Sequence, residues 1–517
     1  MDTRLILAGL LLTAAAPTGA LPPAASFEQK VVAIMSAGGS ADLIQSRLDR
    51  VGATQPLTPD QQVAIEALGA LVRGKTKPNG LSVAEAEAFA VRHPGSPASA
   101  FLVAEAALAN NDPQRSADTL VAAAAHAGSL IQLISPTAVS KLADELDALS
   151  DRDRTAALAK ALLYGNWARG SPSLRSFLAL TAIRNELAAG RLERARALLV
   201  VIKSPATFHE FLIDERLAPL RVDVERIAGS HLEHAWQDYL VGARTDWVSR
   251  GDAISAAAYV EALKQANQYE ALADAFLPRF LKGYNCPSDL VARTIGADLA
   301  DSLGRAGRWA KSDDVIRRSG GVSPAIYAAT LLERGNFGQA EALLSRSLKA
   351  AALPKSKTDE KALAWLQGAE SCAAYRGGRP ATVTYDPALL DISPRLFVLL
   401  CLDRAPEAQA ALIAALSSED ERADALRWVQ PFKDQPAQSK FREAMNTKIR
   451  ALQREPSVIE AVSRYGRILD WPFTSAAPQN SDAAALRSTN AWQCGQQSDW
   501  QAAIPNVESI HLPDSQP

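Results

Sequence analysis

The segment Gly335-Asn-Phe-Gly-Gln-Ala-Glu-Ala-Leu-Leu344 shows the clearest local pattern in the sequence. A small residue is followed two positions later by an aromatic residue, then by alanine three positions on and leucine four further on. Gly190-Arg-Leu-Glu-Arg-Ala-Arg-Ala-Leu-Leu199 repeats the pattern, and looser copies start at Gly307 and Asn267. Gly or Asn tolerates the left-handed backbone that ends a helix, and alanine lets the next helix approach closely. The pattern therefore predicts helical hairpins.

The sequence between these turns is also helical in character. From about residue 27 to 470, apolar residues recur three and four positions apart, and the alternation typical of strands is almost absent. The chain has 517 residues, whereas a single compact core rarely grows beyond about 250–300 residues. We therefore predict an all-α protein built as an array of helical hairpins.

The turns resemble those of the tetratricopeptide repeat (TPR), whose second helix begins with a turn glycine, an aromatic residue and an alanine. The best match runs from Ala329 to Leu344 and includes the end of the preceding helix. The intervals between the turn residues are irregular: positions 111, 190, 267, 307 and 335 lie 79, 77, 40 and 28 residues apart. Repeats of the family have a constant spacing of about 34 residues. Each long interval has room for two degenerate units. The resemblance implies an irregular, TPR-like α-solenoid, and an unrelated helical bundle with glycine turns is the alternative.

Two further features accompany this resemblance. The segment Asp214-Glu-Arg-Leu-Ala-Pro-Leu-Arg221 resembles a linker that closes repeat arrays in bacterial TPR proteins. Seven residues are expected to shape the repeat turns and to hold a structural role: Gly190, Ala195, Gly307, Trp309, Gly335, Phe337 and Ala340.

Changes in composition suggest four segments. Residues 1–20 have the form of a signal peptide, in which Arg4 precedes an apolar run and Pro17 and Gly19 break the helix. Residues 21–97 are predicted to form a short N-terminal helical cap, and residues 98–470 the α-solenoid. Residues 471–517 are polar and are predicted to be an irregular tail.

Export follows from the leader-like segment. We expect a periplasmic protein of a bacterial cell, and an uncleaved N-terminal segment that tethers the chain is the alternative. No later segment is long and apolar enough to span a bilayer. Four cysteines, Cys286, Cys372, Cys401 and Cys494, permit two disulfides. A Cys372–Cys401 pair is favoured because these residues flank one irregular insert, and buried free thiols remain the alternative.

Several classes of function lack support in the sequence. The chain has 55 Lys and Arg and 57 Asp and Glu, so it lacks the net positive charge that is typical of nucleic-acid-binding proteins. It contains no phosphate-binding loop, no nucleophile elbow and no HExxH motif. His231 and His234 share a helix face with Glu233, but no third ligand stands at zinc-site spacing. We therefore predict no catalytic residue, no metal and no cofactor.

Aromatic residues are the best candidates for a binding surface, because Trp, Tyr and Arg dominate interface hot spots. Trp236, Tyr239 and Trp247 lie close together in one helical segment and are predicted to form an exposed, partner-binding cluster. The alternative is that they seal contacts between repeats.

The resemblance to TPR proteins implies a non-catalytic scaffold that binds a protein or peptide on its concave surface. The setting would be the bacterial cell envelope. A self-associating structural subunit is the alternative, and a cell-wall-linked enzyme or its helical accessory domain is a further one. The sequence does not identify the partner.

Overall fold

A computed structural model describes residues 26–470, except 38–39, 55, 78–79, 169–170, 251–252, 284–289, 319–323, 352–353, 355–356, 381–384 and 432–438. The predicted signal peptide, the polar tail, Cys286 and Cys494 lie outside the described residues. Within those residues the chain is all-α, and the only strand-like pairing is one isolated bridge between Asp214 and Gly466.

Eight helices form the first part of the described chain. They are α1 (Phe27–Ala37), α2 (Ala41–Thr54), α3 (Pro59–Lys75), α4 (Val83–Arg92), α5 (Pro97–Ala109), α6 (Pro113–Ala124), α7 (Pro136–Ala148) and α8 (Arg152–Tyr164). A 3₁₀ segment, Gly128–Leu133, leads into α7. Proline stands at the first position of α3, α5, α6 and α7, where its missing N–H costs no hydrogen bond.

The middle part of the described chain contains twelve helices. They are α9 (Pro172–Ala188), α10 (Leu192–Leu198), α11 (Pro205–Ile213), α12 (Arg221–Ala228), α13 (Glu233–Arg250), α14 (Ala253–Gln265), α15 (Tyr269–Gly283), α16 (Leu290–Arg305), α17 (Trp309–Arg318), α18 (Pro324–Arg334), α19 (Phe337–Ala350) and α20 (Lys357–Arg376). Two 3₁₀ segments, Leu199–Val201 and Glu215–Leu220, follow α10 and α11.

Five helices complete the described chain. They are α21 (Ile392–Cys401), α22 (Ala405–Ser417), α23 (Arg422–Trp428), α24 (Lys440–Gln453) and α25 (Pro456–Tyr465). The 3₁₀ segment Pro387–Leu389 precedes α21, in the region predicted to be an inserted loop. Tyr385 of that insert is half-buried, whereas residues 381–384 lie outside the described residues.

Most helices pack against the helices next to them in sequence, as expected for an α-solenoid of hairpins. The hairpin α5–α6 is followed by α7–α8 and α9–α10, and α3 also packs on α5. Helices α3 and α4, residues 59–92, both pack on α5 and are therefore already part of the same packing. Helix α1 contacts the 3₁₀ segment before α7, where Ser129 donates a hydrogen bond of 2.7 Å to Glu28.

The turns inside the hairpins reveal the repeat length. Each is made by a residue with positive φ of a type that tolerates this backbone. Six of these turns follow one another at nearly equal intervals, at Asn111, Ser150, Gly190, Gly229, Asn267 and Gly307. Ser150 and Gly229 fall within the two long intervals of the sequence pattern. A unit of about 39 residues, which we call the long repeat, thus recurs through the first two thirds of the described chain. The later turns are less regular.

The array does not stay open, which corrects the expectation that helices contact only their neighbours. Helix α20 packs on α7, and α23 packs on α11. Arg427 of α23 pairs with Glu210 of α11, and the backbone N–H of Arg467 donates to the carbonyl of Ile213 at 3.0 Å. We call this contact between the C-terminal helices and α11 the seam. Buried residues from Phe27 to Leu469 belong to one hydrophobic cluster.

Cys372 and Cys401 form a disulfide, which is the pairing favoured from the sequence. The bond joins the end of α20 to the end of α21, and both residues are fully buried. Among the described helices, none has the length and apolar character needed to cross a bilayer.

Removing this disulfide is expected to destabilise the C-terminal helices. The bond closes a loop with a sequence separation of 29, and its removal lets the unfolded chain gain conformational entropy worth about 3 kcal/mol. A Cys372→Ala/Cys401→Ala variant should lose about that much free energy of unfolding, as measured by urea denaturation. Reductant should destabilise the wild type in the same direction, and by more than it destabilises the variant, which keeps Cys286 and Cys494. Equal stability of the two oxidised proteins would show that the disulfide contributes nothing.

Candidate functional site

The three aromatic side chains predicted to form an exposed cluster are buried. Trp236 is 0% exposed, Trp247 2% and Tyr239 7%. Trp247 stacks against Phe276 of α15 with ring centroids 5.6 Å apart, and Tyr239 forms a 2.6 Å hydrogen bond with Ser173. The prediction of exposure is therefore wrong. These rings seal contacts between successive hairpins, because their large apolar areas gain most from burial there.

The turn glycines have positive φ, and the alanines that follow them are buried. Gly190 and Gly307 have φ of 72°, and Gly335 has φ of 82°. Ala195 and Ala340 are fully buried against the preceding helices.

The aromatic residues of the last two turns make specific contacts. The guanidinium of Arg334 lies 4.7 Å from the centre of the Trp309 ring, a cation–π contact. The Phe337 ring meets Phe441 of α24 edge to face at 5.4 Å. The repeat turns thus also help to hold the C-terminal helices in place.

An apolar slot opens between the helices α3, α5 and α7. Its cavity volume is about 40 Å³. Its floor is α5, which is apolar on nearly every face, and its sides come from α3 and from the start of α7. Helix α3 contributes residues spaced for one face of a helix: Ala64, Ala67, Leu68 and Leu71.

Two features distinguish the slot from an ordinary crevice. Leu68, Leu71, Leu133 and Ala138 are only half-buried, so their carbon surface remains accessible. Glu105 is the one charged side chain among the described residues that line it. Apolar concave sites with few polar groups are the usual form of binding sites in proteins.

The slot was not found from the sequence. Helix α5 reads as a uniformly buried helix, since its apolar residues show no preferred face. A usable signal was present in the long repeat. Aligning the hairpins at Asn111 and Ser150 places α5 and α7 in equivalent positions, and α3 lies just before them in the same packing.

A second feature is a group of charged side chains between α14 and α16. Lys264 lies 2.5 Å from Asp298, and Arg305 lies 3.0 Å from Asp301. Glu261 is only 3% exposed and accepts a hydrogen bond of 2.5 Å from Gln265. Burial raises the pKa of the Glu261 carboxyl to about 7; Lys264 opposes this shift and Asp298 adds to it.

This raised pKa predicts a pH dependence of stability. In the unfolded chain Glu261 titrates near 4.5, whereas in the fold it keeps its proton until about pH 7. The favourable contribution is therefore complete below pH 4.5 and is lost as the pH rises through 7. With about 1.4 kcal/mol per pKa unit, the shift from 4.5 to about 7 corresponds to a loss of about 3 kcal/mol.

The Glu261→Gln variant should show a flatter profile of unfolding free energy between pH 5 and 8. It should be more stable than the wild type at pH 8, because the amide needs no proton to remain neutral. Denaturant unfolding at several pH values measures this difference. Parallel profiles for the two proteins would contradict the assignment.

Histidines provide no visible metal site. His231 and His234 are exposed, and a carboxylate oxygen of Glu233 accepts a 2.8 Å hydrogen bond from the backbone N–H of His231. Across the part of the chain that the structure describes, no group of three or more His, Cys, Asp or Glu residues is arranged to hold a metal ion.

Comparisons with family models, with curated proteins and with solved structures found no match to this chain. The geometry of the chain itself therefore carries the functional proposal.

Proposed function

We propose that the protein is a non-catalytic scaffold that binds another protein through the apolar slot of α3, α5 and α7. The observation that carries this proposal is the slot itself. It is a concave, apolar site in which Leu68, Leu71, Leu133 and Ala138 remain half-buried, and apolar concave sites with few polar groups are the usual form of binding sites.

The likeness to TPR proteins supports the same proposal. The hairpins turn at Gly190, Gly307 and Gly335 with left-handed glycines, and alanines such as Ala340 are buried where the two helices meet. The long repeat exceeds the unit of the TPR family, which has about 34 residues. We infer a TPR-like array with lengthened units rather than a regular member of the family.

An envelope location is the second part of the proposal. The leader-like residues 1–20 carry it, and a disulfide between Cys372 and Cys401 fits an oxidising compartment. The bacterial periplasm is such a compartment.

The test is an affinity purification of the tagged full chain from cross-linked, fractionated host cells. Mass spectrometry would read the mature N-terminus and the co-purifying proteins. The proposal predicts a chain that starts near Leu21, from the periplasmic fraction, with a reproducible set of envelope proteins. Recovery of the uncleaved chain alone, from the cytoplasm, would contradict both the binding role and the location. Recovery only as copies of itself would favour the self-associating subunit.

A further inference from the structure

We propose that the seam contains a binding site for an extended peptide with the pattern glycine, arginine, any residue, leucine. The chain itself fills this site with residues 466–469, and a partner protein that carries the same pattern in an extended segment is the kind of ligand that fits. The site shares no residue with the slot, so the inference does not depend on the proposed function. The pairing of the backbone, the contacts of the side chains and the position of the segment carry it.

The backbone of the segment pairs with the array although it belongs to no helix. Gly466 forms an antiparallel bridge with Asp214, and the N–H of Arg467 donates to the carbonyl of Ile213 at 3.0 Å. Both partners lie at the C-terminal end of α11. Proteins commonly bind extended peptides in this way, by adding the peptide backbone to main-chain groups that are still unpaired.

Gln430 pairs with the opposite side of the segment. Its side chain is fully buried, and its amide donates to the carbonyl of Arg467 and accepts from the N–H of Leu469, both at 3.0 Å. The same amide nitrogen donates to the carbonyl of Leu426 at 2.9 Å, which fixes the orientation of the side chain. An amide offers the same donor and acceptor groups as a peptide unit, so Gln430 recognises an extended backbone whatever its side chains.

Two positions of the segment are read through specific close contacts. At Gly466 an added Cβ atom would lie 2.2 Å from the backbone oxygen of Ile213, so only glycine fits there. The guanidinium of Arg467 donates to the carbonyl of Leu212 and lies 3.6 Å from the carboxylate of Glu225 on α12. The site therefore selects glycine followed by arginine.

A third position is read by burial. Leu469 is 6% exposed and belongs to the hydrophobic cluster, whereas Ile468 is 41% exposed and marks the position that accepts any residue. The segment follows α25, the last described helix, and forms no helix of its own. It can therefore leave the site without unfolding a helix, and its departure lets the segment of a partner enter.

Binding of the segment as a separate peptide tests the proposal. The probe is a fluorescently labelled peptide of residues 464–470, and the receptor is the full-length Gly466→Ala chain, whose own segment no longer fits. Fluorescence anisotropy should show that the native peptide binds this chain at least about tenfold more tightly than a Gly466→Ala peptide does. The wild-type chain should bind the native peptide at least about tenfold more weakly than the variant chain, because its own tethered segment competes for the site.

A second receptor, the full-length Arg467→Ala/Leu469→Ala chain, frees the site without adding any atom to it, and melting temperatures verify that each receptor is folded. Adding Gln430→Ala to either receptor should weaken binding of the native peptide by about tenfold or more, because the peptide backbone loses its partner. The control peptide Ile468→Ala, changed at the exposed position, should differ from the native peptide by less than about twofold.

Three results would overturn the proposal. The first is equal binding of the native and Gly466→Ala peptides. The second is equal binding of the native peptide by the wild-type chain and by the two receptors, which would place the peptide outside the seam. The third is that neither receptor binds the native peptide.

Discussion

Replacing Gly466 with alanine is expected to open the seam between the C-terminal helices and α11. A Cβ atom at this position would lie 2.2 Å from the backbone oxygen of Ile213 and 2.7 Å from a methyl group of Leu426. The carbonyl cannot rotate away, because it also accepts the N–H of Arg467. We expect a loss of more than about 3 kcal/mol from the free energy of unfolding. Urea denaturation would measure it, together with faster proteolysis near residue 466.

Gly242→Ala is the matched control. Gly242 lies inside α13, and nothing stands within 4 Å of an added Cβ atom. Alanine should stabilise the helix by about 0.5 to 1 kcal/mol, because glycine loses more backbone entropy on folding. If both substitutions changed stability equally, the close packing at Gly466 would not exist.

Glu210→Ala is expected to lower the free energy of unfolding nearly as much as Gly466→Ala does. Glu210 is 8% exposed and accepts hydrogen bonds from two arginines, Arg184 at 2.6 Å and Arg427 across the seam. Removing the carboxylate leaves two largely buried guanidinium groups facing each other. Breaking a buried ion pair in this way costs about 3 to 5 kcal/mol. Chemical denaturation of the variant should show a loss in that range.

Glu193→Ala provides the comparison with an exposed pair. Glu193 lies 2.6 Å from Arg196, but its side chain is 80% exposed. Loss of such a surface pair should change stability by about 0.5 kcal/mol or less. A Glu210→Ala variant as stable as Glu193→Ala would mean that the seam is hydrated and open in solution.

The local parts of the fold could be predicted from the sequence because helix ends are encoded locally. Gly190 and Gly335 mark turns through their own backbone freedom, and the alanines near them mark close helix contacts. Ser150 makes an equivalent turn with a φ of 55°. The sequence did not reveal this turn, because serine rarely adopts positive φ and so does not indicate one. The long repeat became visible only with the backbone angles.

Closure of the array could not be predicted, because it depends on contacts between distant segments. Glu210 and Arg427 are 217 positions apart. Neither residue differs in type from the many exposed Glu and Arg residues elsewhere in the chain. The segment from Asp214 to Arg221, which resembles a linker of bacterial TPR proteins, did not predict this closure, although Asp214 bridges to Gly466 in the seam.

The exposure of the aromatic residues was mispredicted for a related reason. Trp236 and Trp247 lie on a helix with polar residues on several sides, so the sequence does not show which face is covered. Hairpins on both sides of α13 bury these rings. The slot, by contrast, is built from alanine and leucine residues that look like core in any single helix. Whether these residues are exposed depends on which other helices pack against theirs, and that is decided by the whole array.

Hydrogen exchange of the segment 467–470, followed by mass spectrometry on the full chain, tests closure of the array most directly. The N–H of Arg467 donates to Ile213 across the seam, and the N–H of Leu469 donates to Gln430 at 3.0 Å. Both residues lie beyond α25, and the N–H of Arg467 is the one that the seam itself protects. The closed array predicts exchange as slow as that of the buried helix α22, and loss of this protection in Gly466→Ala. Exchange of the wild-type segment within seconds would contradict closure.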